Sequence, residues 1–357
     1  MIISFLISIT SSVVASERFF FDNETSRILH LSNKLDEKIE NISLIYKNDE
    51  ANHYLQQIMD KLFPEYANLF RVRILLSTDV NAFALANGSI YFTLGLLAKI
   101  DNEAQVAAVL AHEGAHCVLS HQLNQRRKTK DILTNFENFD ADKSLTYLSE
   151  YSIDSEYKAD ELGLKKLAIA GYNPTGVISM LQILAQEELD DSNNEIESFQ
   201  THPETQKRID KLTTLINDKT GEHNKASYQK YLAIFRTKVF ELYLSKYKFQ
   251  SVLLSIEGMK ESSDHTYKTW FYIGEAYRQR DDLGDNKKAE SAYLNALKIN
   301  PLYTFSYQAL GILYLKRGEL NKALNMFDQY LSLKSGKNIN PYIMLYHSEI
   351  KTKLAQQ

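Results

Sequence analysis

Hydrophobic positions in this chain recur mostly at helical spacing, and the stretches that break it are short. From residue 16 to Phe70 the pattern is helical with a polar face, and Tyr54, Ile58 and Leu62 form a stripe at i, i+4 and i+8. Phe70 to Leu76 (FRVRILL) is rich in β-formers and predicts a strand. Two further strand-like runs, from Asn81 and from Ser89 to Thr93, are separated by Asn87-Gly88, a pair that signals a hairpin. A helix is then predicted over residues 104–123, with Asn102 as its cap and Gln105 as the capping-box partner. Residues 126–151 are polar and without clear period. Glu156 to Ala170 is helical again, stopped by Gly171 with Pro174 beyond. Ile178 to Glu188 predicts another helix, Asp190 to Ser198 an acidic loop, and His202 to Leu215 a short helix beginning after Pro203.

From about residue 222 the chain becomes rich in Tyr, Leu and Ala. Trp270, Ile273, Gly274 and Tyr277, followed by Ala289, Tyr293, Ala296 and Pro301, form one set; Tyr307, Leu310, Gly311 and Tyr314, followed by Ala323 and Phe327, form a second. Both match the tetratricopeptide pattern of paired helices that touch through small residues. The first set carries extra residues around Asp281 to Asp285. Tyr228 to Gly258 reads as a degenerate earlier repeat and Tyr342 to Ala355 as a capping helix.

Composition narrows the choice of class. A chain of 357 residues is long enough for two domains. With 41 Lys and Arg against 45 Asp and Glu, the net charge of −4 argues against nucleic acid as the main partner. The single cysteine, Cys117, excludes an internal disulfide framework, and it is expected as a core thiol. Met1 to Ala15 is uncharged and ends in Val13-x-Ala15 before Ser16-Glu17, which fits a signal-peptidase site, although a basic leader segment is missing. Its apolar stretch is shorter than the roughly 20 residues of a spanning helix. Export with cleavage is the expectation, against a membrane anchor or a buried N-terminal helix. No later segment is apolar enough to span a membrane, so the mature chain is expected to be soluble, though membrane-proximal.

The chemistry concentrates in His112-Glu113-Gly114-Ala115-His116, an H-E-x-x-H motif. Two His at i and i+4 share one helix face and can bind one Zn²⁺. Glu113, turned away from that face, is placed to act as general base on water. The neighbours Val106, Val109, Leu110, Val118 and Leu119 make the helix a buried one, where two His and a Glu without a partner would be costly. A catalytic zinc needs a third protein ligand. His121, at i+5 from His116, lies on another part of a regular helix and reads as a core residue or a supporting one. Glu156, with Asp160 one turn later, is the alternative ligand, and spacing leaves the choice open. Asp160 can accept an N–H from a ligand His and fix its tautomer.

Further shared text makes a resemblance visible. Asn81-Ala-Phe-Ala with Gly88 and Gly95-Leu96-Leu97 precede Val109-Leu-Ala-His-Glu-Gly-Ala-His116. Ser152-x-x-x-Glu156-x-x-Ala159-Asp160, Ala170-Gly-Tyr-Asn-Pro174 and Thr201-His-Pro203 with Arg208-Ile209 follow it. In this order, over about residues 50 to 215, the chain resembles the HtpX, Oma and CAAX prenyl protease-type zinc metallopeptidases (peptidase family M forty-eight). With its repeats it looks most like the periplasmic β-barrel assembly-enhancing group of that family. It departs from the family pattern at Ile153, where an Arg is usual, and at Ala86-Asn87-Gly88.

The resemblance implies a mostly helical α+β fold. A gluzincin-type peptidase domain with a small sheet would fill residues 16–220, and an all-α tetratricopeptide solenoid 221–357. It implies one Zn²⁺ per chain, with Glu156 as third ligand beside His112 and His116, and Asp160 in support. It implies that His202 and Arg208 lie near the metal, where either can stabilise an oxyanion; His202 can alternatively fill the open metal position and hold the enzyme off. Ser89, Ile90, Tyr91, Phe92 and Thr93 are expected to form an edge strand that binds extended peptide by β-addition. The expected function is zinc-dependent endoproteolysis of misfolded or stalled proteins in the periplasm, with the repeats docking substrate or an outer-membrane assembly machine. A chaperone or adaptor with latent proteolysis, and a cytosolic or organellar protease without a leader, are the alternatives.

Overall fold

The computed structural model describes residues 23–41, 43–121, 151–192, 204–216, 220–257, 266–334 and 338–356. The expectations for residues 1–15 and for His202 lie outside the described residues. Two helices, α1 (Asn23–Asn41) and α2 (Asp49–Leu62), lead into strand β1 (Arg71–Leu75). A hairpin of β2 (Ala82–Ala84) and β3 (Ser89–Thr93) continues into the short helix α3 (Leu94–Lys99) and then into α4 (Glu103–Val118). α5 (Ile153–Ile169), α6 (Thr175–Ser192) and α7 (Thr205–Ile216) complete the first part.

α4 carries the H-E-x-x-H motif and is buried almost all the way round, from Glu103 to His116. Its start is fixed locally. Asn102 Oδ1 accepts from the Gln105 amide at 3.1 Å, and Gln105 Oε1 accepts from the Asp101 amide at 2.7 Å. A buried carboxylate ties the same end to its surroundings, because Glu103 accepts from Tyr54 Oη at 2.6 Å, Tyr172 Oη at 2.9 Å and Asn224 Nδ2 at 3.0 Å. α2, α5 and α6 pack around α4. The helix α6 runs on to Ser192, where the sequence had suggested that an acidic loop begins at Asp190.

The sheet corrects one expectation. Its order is β1-β3-β2, with β3 parallel to β1 (Arg71↔Ser89) and antiparallel to β2 (Ala82↔Phe92). Ser89 to Thr93 is therefore the central strand, and all five of its residues are buried. Neither side of it is free for a peptide, because β1 returns alongside it in parallel. Ile90 and Phe92 enter the main core. Ser89 and Tyr91 instead donate to Asp36 of α1. Among the described residues the edge beside α4 is β2. Asn81 O accepts from Thr93 N at 3.0 Å and Leu85 N donates to Ser89 O at 2.8 Å, so the odd positions of this strand face β3. The alternation of an antiparallel strand then turns the main-chain groups of Ala82 and Ala84 away from β3, and all three residues of β2 are themselves buried. The connecting turn is a three-residue loop, with Gly88 at φ +84° in a place where a Cβ would lie 2.4 Å from Leu69 O.

Among the described residues seven helices follow: α8 (Lys225–Ser245), α9 (Phe249–Glu257), α10 (Tyr267–Arg280), α11 (Asp285–Ile299), α12 (Thr304–Lys316), α13 (Leu320–Lys334) and α14 (Pro341–Ala355). Each packs against the next in sequence. Tyr228, Leu232, Phe235 and Val239 of α8 are part of the first core, which thus extends past residue 220. In the pairs α10–α11 and α12–α13 a glycine admits an aromatic ring. A Cβ on Gly274 would sit 2.4 Å from the Tyr293 ring, and one on Gly311 would sit 2.2 Å from the Phe327 ring. Among the described residues no helix is long and apolar enough to cross a membrane.

Gly311→Ala is expected to overpack the α12–α13 contact and cost about 1–3 kcal/mol. Urea denaturation of the variant beside the parent chain measures this.

Candidate metal centre

The site begins with a close approach of two helices. Gly163 of α5 lies against the main chain of Ala111 and His112 in α4, so that a Cβ there would meet both at 3.3 Å. Glu156 and Asp160 precede Gly163 at helical spacing and share its face of α5. They meet the face of α4 that bears His112 and His116. The two Nε2 atoms lie 3.0 Å apart. Glu156 Oε1 is 3.3 Å from His116 Nε2, and Glu156 Oε2 is 3.4 Å from His112 Nε2. The three donor atoms all fall within 4.8 Å of one another. His116 and Glu156 are fully buried. Two imidazole nitrogens and one carboxylate oxygen converging in this way fit a divalent metal ion, and they match the three-ligand set of a catalytic zinc site.

Charge compensation surrounds these groups. Asp160 Oδ1 lies 2.9 Å from His112 Nδ1, the ring nitrogen that faces away from the donor cluster. Arg208 of α7, buried like Asp160, donates to it twice, from Nε at 2.8 Å and from Nη2 at 2.7 Å. Its third nitrogen, Nη1, is 2.8 Å from Glu156 Oε2. Burial opposes ionisation of Asp160, but the Arg208 guanidinium and His112 hold its carboxyl down at about 2. Burial likewise opposes charge on His112, and Asp160 with Glu156 outweighs it, pushing the metal-free imidazole up to about 9.

Glu113 is buried and lines a pocket together with His112 and Asp160. Asn81 and Ala82 bound this pocket at the β2 edge, and Val109, Val177, Met180, Leu181 and Leu184 give it an apolar wall. Glu113, His112 and the start of β2 therefore border one cleft.

Arg208 lies beside the donor cluster, but its bonds differ from the expected role. Three of its nitrogens face carboxylates of the site, so it holds Glu156 and Asp160 in place rather than aiming at a substrate oxygen. Cys117 is partly buried, with its Sγ 3.5 Å from Leu85 O. Sequence reasoning missed Gly163, Tyr151 and the Ala82–Ala84 edge. Gly163 stands seven residues after Glu156, a spacing that could have marked it as the contact face. Tyr151 carries no motif, yet its ring stacks on His116 at 3.7 Å.

Two His on one helix, a Glu between them and a carboxylate from the next described helix as the third donor define a metallopeptidase-type centre. Residues 47–216 match Peptidase family M48. It is 26% identical over 151 residues to the metalloprotease YcaL of Escherichia coli, covering 38% of this chain and 58% of YcaL. It is 32% identical over 114 residues to the mitochondrial metalloendopeptidase OMA1 of Arabidopsis thaliana, covering 29% of this chain and 24% of that protein. A 92-residue stretch is 34% identical to the TPR repeat-containing protein MJ1428 of Methanocaldococcus jannaschii, 24% of this chain and 16% of the relative. The matches thus span little more than half of the longest-covered relative, and less of the others.

Metal uptake must expel the proton that His112 holds below about pH 9 in the metal-free protein. Apparent zinc affinity is therefore expected to rise with pH up to that value. Calorimetric titration of metal-free protein in two buffers of different ionisation heat should show proton release on binding.

Proposed function

We propose that the chain is a zinc-dependent endopeptidase acting on extended, non-native polypeptide. The carrying observation is that the donors of His112, His116 and Glu156 converge beside Glu113 at a cleft bordered by the start of the outer strand β2. A zinc ion held there supplies Lewis-acid polarisation of the scissile carbonyl and of water. Glu113 takes the proton of the attacking water on its carboxylate and returns it to the departing amine nitrogen. A substrate strand hydrogen-bonds to the Ala82 main chain, which lays its carbonyls along the cleft. The apolar wall of Val109, Val177 and Leu181 favours a bulky apolar side chain next to the cut.

The reading extends to the rest of the molecule. The paired helices α10–α11 and α12–α13, with a glycine seated on an aromatic ring in each, support tetratricopeptide repeats, as does the similarity to a TPR repeat-containing protein. We assign them to docking substrate or a partner of outer-membrane protein assembly. The uncharged Met1–Ala15 segment and the resemblance to the periplasmic group support a periplasmic quality-control role. His202 enters as either an oxyanion donor or a gate on the metal.

Glu113→Gln should keep stoichiometric zinc and lose casein cleavage by at least about a hundredfold, the low end of general-base effects. Zinc without cleavage in the parent chain as well would favour the adaptor reading, and no zinc at all would sink the proposal. In the same assay His202→Ala raises activity if His202 is a gate and lowers it if it is catalytic. A second variant tests the edge. The Ala82 amide faces away from β3 and Ala82 lines the cleft, so Ala82→Pro should leave the sheet paired while removing one donor to substrate. A loss of about 5- to 10-fold in kcat/KM is expected, the worth of one hydrogen bond, with zinc content unchanged.

A further inference from the structure

We infer that His121 is the positioning residue of the ligand His116, holding its ring through an imidazole–imidazole hydrogen bond. The inference rests on the metal-centre reading above and adds to it the source of orientation for the second ligand.

His116 is fully buried and its two nitrogens face different partners. Nε2 points at His112 and Glu156, while Nδ1 lies 3.0 Å from Nδ1 of His121. The rings meet edge-on, with centroids 5.0 Å apart. An imidazole that presents the Nε2 lone pair to a metal carries its proton on Nδ1 and donates it. The partner atom must then accept, so His121 keeps its own proton on Nε2. Tyr151 stacks on the His116 face at 3.7 Å and 20°. One neighbour thus fixes the plane of the ring and the other its rotation within that plane.

The two ligand imidazoles are oriented by different chemistry. His112 Nδ1 meets the Asp160 carboxylate at 2.9 Å, and Arg208 balances that charge. An imidazole at His116 supplies an acceptor without adding another buried negative charge beside Glu156. The backbone shows how His121 reaches its place. On a continuous helix a residue at i+5 points roughly 140° away from residue i. α4 ends at Val118, and Ser120 adopts φ +55°, in the left-handed region. The chain thereby folds back, and His121 returns to the His116 ring, only 5% exposed.

The test uses two substitutions of opposite character in the full chain. His121→Asn keeps an acceptor close to the Nδ1 position and loses the ring; His121→Phe keeps the ring and loses the acceptor. Each metal-free protein is titrated with zinc against a chromophoric chelator, and its melting temperature is recorded without metal. His121→Phe is expected to bind zinc about 10- to 100-fold more weakly, the usual cost of losing a partner that orients a ligand. His121→Asn should stay within a few-fold of the parent. A packing role predicts the reverse order, and that order overturns the inference, as does unchanged affinity in both variants. If His121→Phe melts too low to assay, His121→Leu replaces it with the same expectation. A parent chain that takes up no zinc fails at an earlier point and overturns the metal-centre reading itself.

Discussion

Two carboxylates, a guanidinium and two imidazoles sit together in the interior between α4, α5 and α7, and the architecture around them depends on their mutual neutralisation. Any one of these groups buried alone would cost several kcal/mol. Paired as they are, Glu156 and Asp160 each meet Arg208, and Asp160 also meets His112. The arrangement works only where the helix axes come close, and Gly163 against Ala111 and His112 provides that approach. The same cluster presents three donors to a single point. Stability and metal binding are therefore two consequences of one set of contacts.

Much of this was legible in the residues, for a physical reason. H-E-x-x-H and the Glu156–Asp160 spacing are local: each depends on helical period alone, and a helix delivers it. Asn102, Gln105 and Gly171 likewise act within a turn of where they stand. The role of Arg208 was not legible, because a guanidinium can serve a substrate or a carboxylate, and only the fold shows which oxygens lie within reach. His121 was set apart by a count of five residues from His116. That count assumed a helix which the left-handed Ser120 had already ended.

The sheet illustrates the same limit from the other side. A hairpin was readable from Asn87-Gly88, and its two strands pair as expected. Which of them is the edge depends on a third strand, β1, arriving from earlier in the chain and lying parallel to β3. Nothing local to Ser89–Thr93 records that event. The buried pattern of β3 carries a trace of it. A run such as Ser-Ile-Tyr-Phe-Thr, covered on both faces, suits a central strand better than an exposed edge, and two of its three hydroxyl-bearing residues, Ser89 and Tyr91, find a buried acceptor in Asp36.

The later helices are joined to this centre by α8 rather than appended to it. Tyr228 donates to Leu97 O at 2.6 Å and Arg236 Nε donates to Ala98 O at 3.1 Å, so α8 is fastened to α3, the helix that directly continues β3. Tyr228, Leu232 and Phe235 bury themselves in the core that also holds β3 and α4, while Phe240 of the same helix enters the core of α9 and α10. One helix thus contributes to two hydrophobic cores. A hinge between them would have to expose one set of these side chains, which disfavours independent motion of the two halves near α8. The helices α9 and α10 are thereby placed relative to α3 and β3 by side-chain packing rather than by a tether.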